Sequence, residues 1–312
     1  MSKTAYIAKY ANDAQYHGDT SRLSGSALEL FIKNPSAYEA WRRGVYVPRS
    51  TPALAFGSYF HALLFEPDTV KDRFAIEPED EDPKRAGKCI RRSTNVYKAW
   101  KAKEVRSGKT VVDFEDAVKV GPMVDAIVAT PSIHHLLTRE DGRNEVPLHW
   151  LIEGDGRPMR AKLDRVIPET RTIVELKTDR DPDLDSNSQR WALYDRGLHR
   201  KAFIYLDACR QVWGGNWTMV HIFVRTEGRP IVVPTFTEVD SPAVQLGEIE
   251  VKRAIARLEE CEISNDFRTP YELGAVGYAP RPLPIPGPKL SELEFEGGGA
   301  VELDVDGEEV SL

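Results

Sequence analysis

Two charged residues interrupt an apolar run near the middle of the chain. Residues 173–179 read Ile-Val-Glu-Leu-Lys-Thr-Asp, so that Glu175 and Lys177 stand two positions apart. In a β-strand, residues i and i+2 point to the same face, and the carboxylate would lie beside the ammonium group. One interpretation is a salt bridge on the surface of a half-exposed strand. The other is a pair of side chains that takes part in chemistry.

A third charged residue favours the chemical interpretation. Asp164 precedes Glu175 by eleven positions, near the end of the preceding predicted strand. A short hairpin can bring the two carboxylates side by side, where they repel each other unless a cation or a shared proton intervenes. A hard divalent metal ion or a raised pKa is the usual solution. Lys177 could then hold or polarise a water beside the ion, as in metal-assisted phosphodiester hydrolysis, although this spacing also occurs by chance in many proteins.

Apolar periodicity and turn residues predict the strands that must position these side chains. Residues 146–152, 159–167 and 172–178 alternate or run apolar as strands do. The connections between them are as short as the turns at 154–156 and 168–170. Connections of this length predict an antiparallel meander.

Helical periodicity precedes and follows this meander. Pro35 either begins a second helix or kinks the first one. The order of helices, three strands, helix, two strands and helix predicts an α+β or α/β fold with a mixed sheet. Helices are predicted over residues 24–43, 53–65, 113–137, 187–208 and 242–260, and the further strands over 218–225 and 231–237.

Composition excludes several classes of protein. The chain has 312 residues, of which 41% are apolar, and no stretch approaches 18 apolar residues, so we expect no membrane span. The beginning of the sequence lacks an apolar signal region, which predicts a cytoplasmic protein. Cys89, Cys209 and Cys261 lie far apart without a C-x-x-C pair. This argues against a disulfide framework and against a four-cysteine metal site.

Charge is distributed unevenly along the chain. Residues 84–109 carry ten lysines and arginines against one acidic residue. Such a run is either a solvated face or an arm that follows a phosphate backbone, with Arg91, Arg92 and Lys98 as contacts whose binding weakens with salt. Residues 290–312 carry eight acidic residues and no basic one.

We expect one domain followed by a tail. The domain spans residues 1–280, with a helical part from about 20 to 137 and a catalytic core from about 145 to 262. Residues 281–312 are predicted to be a flexible, Pro/Gly-rich acidic tail. The tail would aid solubility, occupy a basic groove when no phosphate backbone is bound, or dock a basic partner.

Four blocks of sequence, taken in order, resemble one known family. Residues 23–38 have an S-x-S-x-L opening and a P-x-x-Y close, and residues 56–67 read G-x-x-x-H-x-x-L-x-E-P. Residues 160–164 with 173–178 supply Asp and Glu-x-Lys, and residues 198–207 are similar to Y-H-x-Q-x-x-x-Y-L-D. The blocks resemble the RecE-type, exodeoxyribonuclease VIII-like branch of the PD-(D/E)XK nucleases, which is related to the nuclease domain of RecB. The resemblance implies a restriction-endonuclease-like core, a mixed central sheet flanked by helices with an N-terminal helical region.

The resemblance also implies a ligand set for a metal ion. His61 would be a ligand from the helical part, although a lone histidine on an apolar helix is more commonly a hydrogen-bonded core residue. Asp164 and Glu175 would be the carboxylate ligands, with a peptide carbonyl near Leu176 completing the set. Lys177 would orient the attacking water and steady the charge that develops on the phosphate.

Further residues in the blocks would contact DNA. Tyr205 and His199 would meet the phosphate or support the site, unless they only pack their helix. Lys162 shares a strand with Asp164 and could touch a phosphate, or else face solvent. Lys201 stands where the family usually has glutamine, and a lysine cannot accept a hydrogen bond as an amide can. The implied DNA contacts are Ser24, Ser26, Lys162, Lys201 and Tyr205, together with Arg91, Arg92 and Lys98 of the basic run.

The activity implied by the resemblance is that of a phage or prophage recombination exonuclease. The chain would use Mg²⁺, or Mn²⁺ in its place, to degrade linear double-stranded DNA from its 5′ ends. It would leave a 3′ single strand for a single-strand annealing protein. A homo-oligomer that threads DNA, in the cytoplasm of a bacterial or phage-infected cell, completes the expectation.

Three alternatives stand beside this activity. The first is a nuclease of other polarity or substrate, such as single-stranded DNA or RNA. The second is a catalytically weak DNA-binding scaffold for recombination. The third is an ordinary α+β protein in which Glu175 and Lys177 merely pair.

Overall fold

The computed structural model describes most of the chain before residue 270. It describes residues 5–10, 13–46, 51–180, 193–230 and 232–269. The chain divides into two units, Met1–Phe267 and Arg268–Leu312, and all the elements described below belong to the first. The predicted tail at 281–312 lies outside the described residues.

A mixed sheet forms the centre of the first unit. Strands β5 (Arg143–Leu151), β6 (Pro158–Ile167) and β7 (Thr172–Asp179) form the predicted antiparallel meander. Strand β8 (Thr218–Arg225) lies parallel to β7, and β9 (Val232–Glu238) lies antiparallel to β8. Two short strands complete the sheet within the described residues: β1 (Tyr6–Ile7) pairs with β5, and β2 (Leu23–Ser24) pairs with β6.

The N-terminal region is helical, as predicted, but its helices are shorter than the periodicity suggests. Helix α1 (Asp13–Gly18) precedes β2. Pro35 begins a new helix, because Asn34 leaves helical geometry and caps the next turn through Ala37 N–H. The predicted helix over 24–43 is therefore α2 (Gly25–Lys33) followed by α3 (Pro35–Arg42), and α4 (Pro52–Phe65) follows as predicted.

The chain between α4 and the meander contains a small second sheet that the sequence pattern did not reveal. Helix α5 (Val70–Arg73) leads to β3 (Phe74–Ile76), which pairs in parallel with β4 (Thr110–Val112). Helix α6 (Asn95–Arg106) lies between these strands and carries part of the basic run. The region predicted as one or two helices at 113–137 is divided into α7 (Phe114–Val118), α8 (Val120–Val128) and α9 (Pro131–Thr138).

Two long helices cover one face of the central sheet. The predicted helix over 187–208 corresponds in part to helix α10 (Leu198–Trp213), which follows Gly197 with its left-handed φ of 68°, while residues 187–192 lie outside the described residues. Helix α11 (Pro242–Ser264) is four residues longer than predicted at its C-terminal end. With α2, these helices bury one apolar core, and α4, α8 and α9 bury a second core against the other face. Successive residues of β7 point to opposite faces of the sheet, so Ile173 enters the first core and Val174 the second.

Candidate active site

Three carboxylates lie in one row across the meander. The register of β5 and β6 places Glu145 opposite Asp164, and the register of β6 and β7, continued by one residue, places Asp164 opposite Glu175. His221 of β8 is the register partner of Glu175 on the other side. The paired positions of β6 and β7 end at Arg165 and Val174, so the row lies where these two strands stop pairing.

Where β6 no longer pairs with β7, the Asp164 side chain provides a hydrogen-bond acceptor for the backbone of β7. Its Oδ2 accepts a hydrogen bond from Leu176 N–H at 3.0 Å and lies 3.2 Å from His61 Nε2. Burial acts to raise the pKa of Asp164, but the hydrogen bond and charge of His61 and the charges of Lys201 and Lys177 hold it well below its usual range. The N–H and C=O of a strand residue point to the same side, so the Leu176 carbonyl also faces Asp164.

His61 reaches the row from helix α4. Its Nε2 lies 3.4 Å from Glu145 Oε1 as well as close to Asp164. Burial acts to lower the pKa of His61, but the bond to Asp164 and the charges of Asp164 and Glu145 raise it above its ordinary value. Gly57 stands one turn earlier on α4, where an added Cβ would lie 3.2 Å from Thr178 Oγ1. Glycine therefore lets α4 approach β7 closely enough to deliver His61.

Glu175 is the most buried member of the row. Its side chain is 0% exposed, and its Oε1 pairs with both Lys177 Nζ and Lys201 Nζ. Burial and the charge of Asp164 act to raise the pKa of Glu175, but the two lysines hold it below its ordinary value. A surface salt bridge on a half-exposed strand is therefore the wrong interpretation. Glu175 does pair with Lys177, but as the fully buried member of a cluster that contains a second carboxylate and a second lysine.

Lys162 and Tyr205 belong to the same cluster. Lys162 Nζ pairs with Glu145 Oε2 at 2.5 Å, so its interpretation as a solvent-facing lysine is wrong. Tyr205 O–H donates to the carbonyl of Lys162 at 3.2 Å, and Lys201 Nζ lies 4.9 Å from the centre of the Tyr205 ring. Burial acts to lower the pKa of Lys201, but Glu175 and Asp164 raise it above its ordinary value, which keeps the side chain charged.

Glu145 is a residue that our reading of the sequence missed. Its φ of 51° lies in the left-handed region, which costs a residue with a side chain about 1 kcal/mol or more. Burial raises the pKa of Glu145 despite the nearby charges of Lys162 and His61. The signal was present in the hairpin: counting back from Asp164 across a short turn leads to an acidic residue on the preceding strand.

The cluster fits a hard divalent cation. One ligand atom each from His61, Glu145 and Asp164 lies within 4.8 Å of the others. Two buried carboxylate oxygens, Glu145 Oε1 and Glu175 Oε2, have no hydrogen-bond partner among the described residues. Carboxylate oxygens, a peptide carbonyl and one imidazole are suitable ligands for such an ion. The row thus contains a candidate metal-binding triad, and Glu175 with the Leu176 carbonyl lies next to it.

The other predicted contacts lie outside this cluster. Ser24 is buried, caps α2 by accepting a hydrogen bond from Ala27 N–H, and lies 3.1 Å from Ser26 through the two hydroxyl oxygens. His199 is buried and pairs with Glu250 Oε2 at 3.0 Å, so among the described contacts it fixes the packing of α10 on α11.

The basic run is divided between structural and exposed cations. Arg92 pairs with Glu77 at 2.6 Å, and the Glu77 side chain is only 1% exposed. The Arg92 side chain is itself 50% exposed, so its predicted contact with DNA stays a prediction. Arg91 and Lys98 are exposed.

No helix in the described part of the chain is long and apolar enough to cross a membrane.

Comparison with known proteins identifies the fold. The family model for a PDDEXK-like domain of unknown function (DUF3799) matches residues 24–276. The crystal structure of a "putative exonuclease" from Eubacterium rectale aligns with a TM-score of 0.54 and 14% identity, covering 83% of this chain and 89% of that one. The crystal structure of SSO0001 aligns with a TM-score of only 0.26 and 10% identity, covering 74% of this chain and 84% of that one. No curated protein matches the sequence. The predicted PD-(D/E)XK-like fold, with its mixed sheet flanked by helices, is confirmed.

Proposed function

Because the chain belongs to the family of PDDEXK-like domains (DUF3799), we propose that it is a metal-dependent nuclease that hydrolyses phosphodiester bonds of DNA. The observation that carries the proposal is the row of Glu145, Asp164 and Glu175, whose side chains are 12%, 13% and 0% exposed, with His61 and Lys177 in contact with it. Such a cluster costs free energy to form, since each charge must be removed from water. This cost favours a functional explanation for the cluster over a purely structural one.

Mg²⁺ is the proposed cofactor, with Mn²⁺ as its substitute. His61, Asp164, Glu175 and the Leu176 carbonyl would hold the ion, and Glu145 would extend this set. When bound, the ion supplies neutralisation of the scissile phosphate and a lowered pKa for water. Lys177 holds the water in line with the phosphorus and donates to the phosphate oxygens as negative charge develops.

Other residues of the chain would position the DNA. Lys162 and Lys201 flank the row and would meet the phosphate on either side of it, with Tyr205 holding the strand that carries Lys162. Ser24 and Ser26 at the beginning of α2 would contact the backbone, and so would Arg91 and Lys98. Such contacts carry no base information and suit a nuclease without sequence preference.

The finer proposal is a RecE-type exonuclease acting on double-stranded DNA ends. It would proceed from 5′ to 3′ and leave single-stranded 3′ tails for an annealing protein during phage or prophage recombination. The description of the Eubacterium rectale relative as a putative exonuclease supports an exonuclease. We further propose that residues 1–280 form the single nuclease domain, that copies of it assemble around DNA, and that the acidic tail at 281–312 aids solubility.

The second candidate function is a catalytically weak DNA-binding scaffold. Lys201 favours it, because an ammonium group occupies Glu175 at the position where the resembling family has a neutral amide.

End-labelled duplex DNA distinguishes these functions. Wild-type protein, Lys177→Ala and a matched surface control, Lys252→Ala, are incubated with DNA labelled at the 5′ or the 3′ end, in Mg²⁺ or EDTA. The Lys252 side chain pairs with Glu248 on α11 and lies outside the row. We expect Mg²⁺-dependent release of the 5′ label by wild type and control, and a loss of at least about 100-fold in Lys177→Ala. Wild-type protein that binds Mg²⁺ and DNA but releases neither the 5′ nor the 3′ label would establish the scaffold.

A further inference from the structure

Lys201 holds the carboxylate that a metal ion would need. Its Nζ and that of Lys177 both pair with Glu175 Oε1, while Glu175 Oε2 is buried without a hydrogen-bond partner among the described residues. The Lys201 side chain is only 28% exposed and its Nζ lies over the Tyr205 ring. Lys201 is therefore a fixed part of the cluster.

The cluster has no excess negative charge without a metal ion. Three carboxylates, from Glu145, Asp164 and Glu175, face the ammonium groups of Lys162, Lys177 and Lys201, and the imidazole of His61, which adds a positive charge when protonated, lies 3.2 Å from Asp164. A divalent cation added to this set would leave at least two positive charges in excess within a few ångströms, where charges are poorly screened. A phosphate group brings negative charge and would restore the balance.

We propose that Lys201 is a built-in counter-cation that the metal ion must displace from Glu175, so that metal and phosphate bind this site cooperatively. The displaced ammonium group is then taken up by the phosphate of the DNA. This inference rests on the proposed function, because it concerns the same metal and the same substrate. It assigns a purpose to the departure from glutamine: an amide at position 201 would carry no charge and would leave Glu175 more available to a cation.

Cooperativity of this kind has a reciprocal form. If a phosphate raises the affinity of the site for the metal, the metal raises the affinity for the phosphate by the same factor. Lys201 would thus couple the two, and its neutralisation should increase metal affinity in the absence of DNA while weakening the coupling.

Binding of Mn²⁺ to the full chain tests the inference without relying on cleavage. Free Mn²⁺ is measured by electron paramagnetic resonance during titration of wild type, Lys201→Gln and Lys201→Met, with Lys201→Arg and Lys252→Gln as controls that respectively keep the charge and lie outside the row. We expect the two neutral variants to bind Mn²⁺ about tenfold more tightly than wild type, the order expected for removing one nearby like charge. Both controls should bind as wild type does. Circular dichroism verifies that each variant is folded, and Lys201→Met, which keeps the long aliphatic stem, serves if Lys201→Gln is unfolded.

The same titration is then repeated with a duplex whose terminal linkages are cleavage-resistant phosphorothioates. The duplex should tighten Mn²⁺ binding to wild type by about tenfold and to Lys201→Gln by clearly less. Unchanged Mn²⁺ affinity in both neutral variants, or an equal effect of DNA on wild type and variant, would overturn the role of Lys201. If wild-type protein binds no Mn²⁺ with or without DNA, the proposed nuclease itself fails, and this outcome is distinct from the former.

Discussion

Individual residues at the row act as one charged unit. Glu175 is surrounded by groups that depend on its charge, since two lysines share its Oε1. Asp164 and His61 depend on each other in the same way through a contact of 3.2 Å. In a buried cluster the loss of one partner leaves the others without compensation, so effects of substitution exceed the worth of any single contact.

Glu175→Gln tests this dependence. The amide keeps the shape but leaves two partly buried ammonium groups without this counter-charge, so we expect a loss of up to about 3 kcal/mol in the free energy of unfolding. Unfolding in urea, followed by circular dichroism without metal, measures the change. Glu248→Gln on the surface of α11 removes an exposed pair with Lys252 and should cost less than about 1 kcal/mol. Equal stability of the two variants would mean that the cluster does not act as a unit.

Elements position the row through close backbone approaches and buried ion pairs. Helix α10 carries Lys201 and Tyr205, and it packs on α11 at Gly247. A Cβ added at Gly247 would lie 2.3 Å from the carbonyl oxygen of His199, which is too close for any atom to tolerate. The position of Lys201 thus depends on a glycine that lies on another helix.

Gly247→Ala should separate α10 from α11. We expect the free energy of unfolding to fall by about 2 kcal/mol or more, because two backbones must move apart. Gly121→Ala is the matched control, since nothing lies within 4 Å of an added Cβ on helix α8. There the substitution should change stability by less than about 0.5–1 kcal/mol, because the gain in helix propensity is opposed by the clash of a Cβ with the following Pro122. Thermal unfolding of both variants checks the difference, and a neutral Gly247→Ala would contradict the packing argument.

The segment from β3 to β4 is held by one buried carboxylate. Glu77 accepts hydrogen bonds from Arg92, from Tyr97 O–H at 2.5 Å, and from Phe114 N–H at 3.4 Å. Burial acts to raise the pKa of Glu77, but the bonds from Arg92 and Tyr97 lower it from 4.5 to about 2. A carboxyl whose pKa is lowered on folding stabilises the protein above its unfolded pKa, and this contribution is lost as the pH falls toward the folded value.

This loss of stability at low pH can be tested by comparing wild type with Glu77→Gln at two pH values. The wild type should be the more stable at pH 7, and its advantage should shrink by about 2 kcal/mol on lowering the pH to 3. Urea unfolding at both pH values gives the difference directly. Glu115→Gln removes an exposed partner of the same arginine at 3.4 Å and should show no such pH dependence. An advantage that is independent of pH would indicate that folding does not shift the pKa of Glu77.

The elements also show how far a sequence can predict this site. The meander, its register and the Asp164–Glu175 pair follow from alternation and short turns, which are local. Glu145 could have been found by extending the same register to a third strand. The pairing of both Lys177 and Lys201 with Glu175 Oε1 could not have been predicted, because it depends on how α10 packs across the sheet. For the same reason the sequence pattern did not reveal the buried Glu77 or the pairing of β3 with β4, which flank the basic run at residues 84–109.

Outside residues 290–312 the chain is nearly neutral, but its charged residues are concentrated in separate regions. The carboxylates of the row are paired with lysines of the same cluster, whereas a concentration of exposed cations lies on another segment, the one that contains α6. Chemistry and retention of the DNA would therefore depend on different parts of the chain. Variants of the exposed cations should change the binding of DNA without changing the row.

The salt dependence of DNA binding tests this separation. Binding of a duplex to wild type should weaken linearly in a plot of log affinity against log salt concentration, and Arg91→Gln with Lys98→Gln should reduce the slope by about two, since each phosphate contact releases about one counterion. Fluorescence anisotropy, measured over roughly 50 to 300 mM salt, gives the slope. Arg92→Gln is the contrasting variant: it breaks the pair with Glu77 and should lower stability, and a further decrease in the slope would show that Arg92 also contacts a phosphate. If Arg91 and Lys98 have no effect on the slope while Lys162→Gln reduces it, then the duplex is held by the row alone and the basic run is only a solvated face.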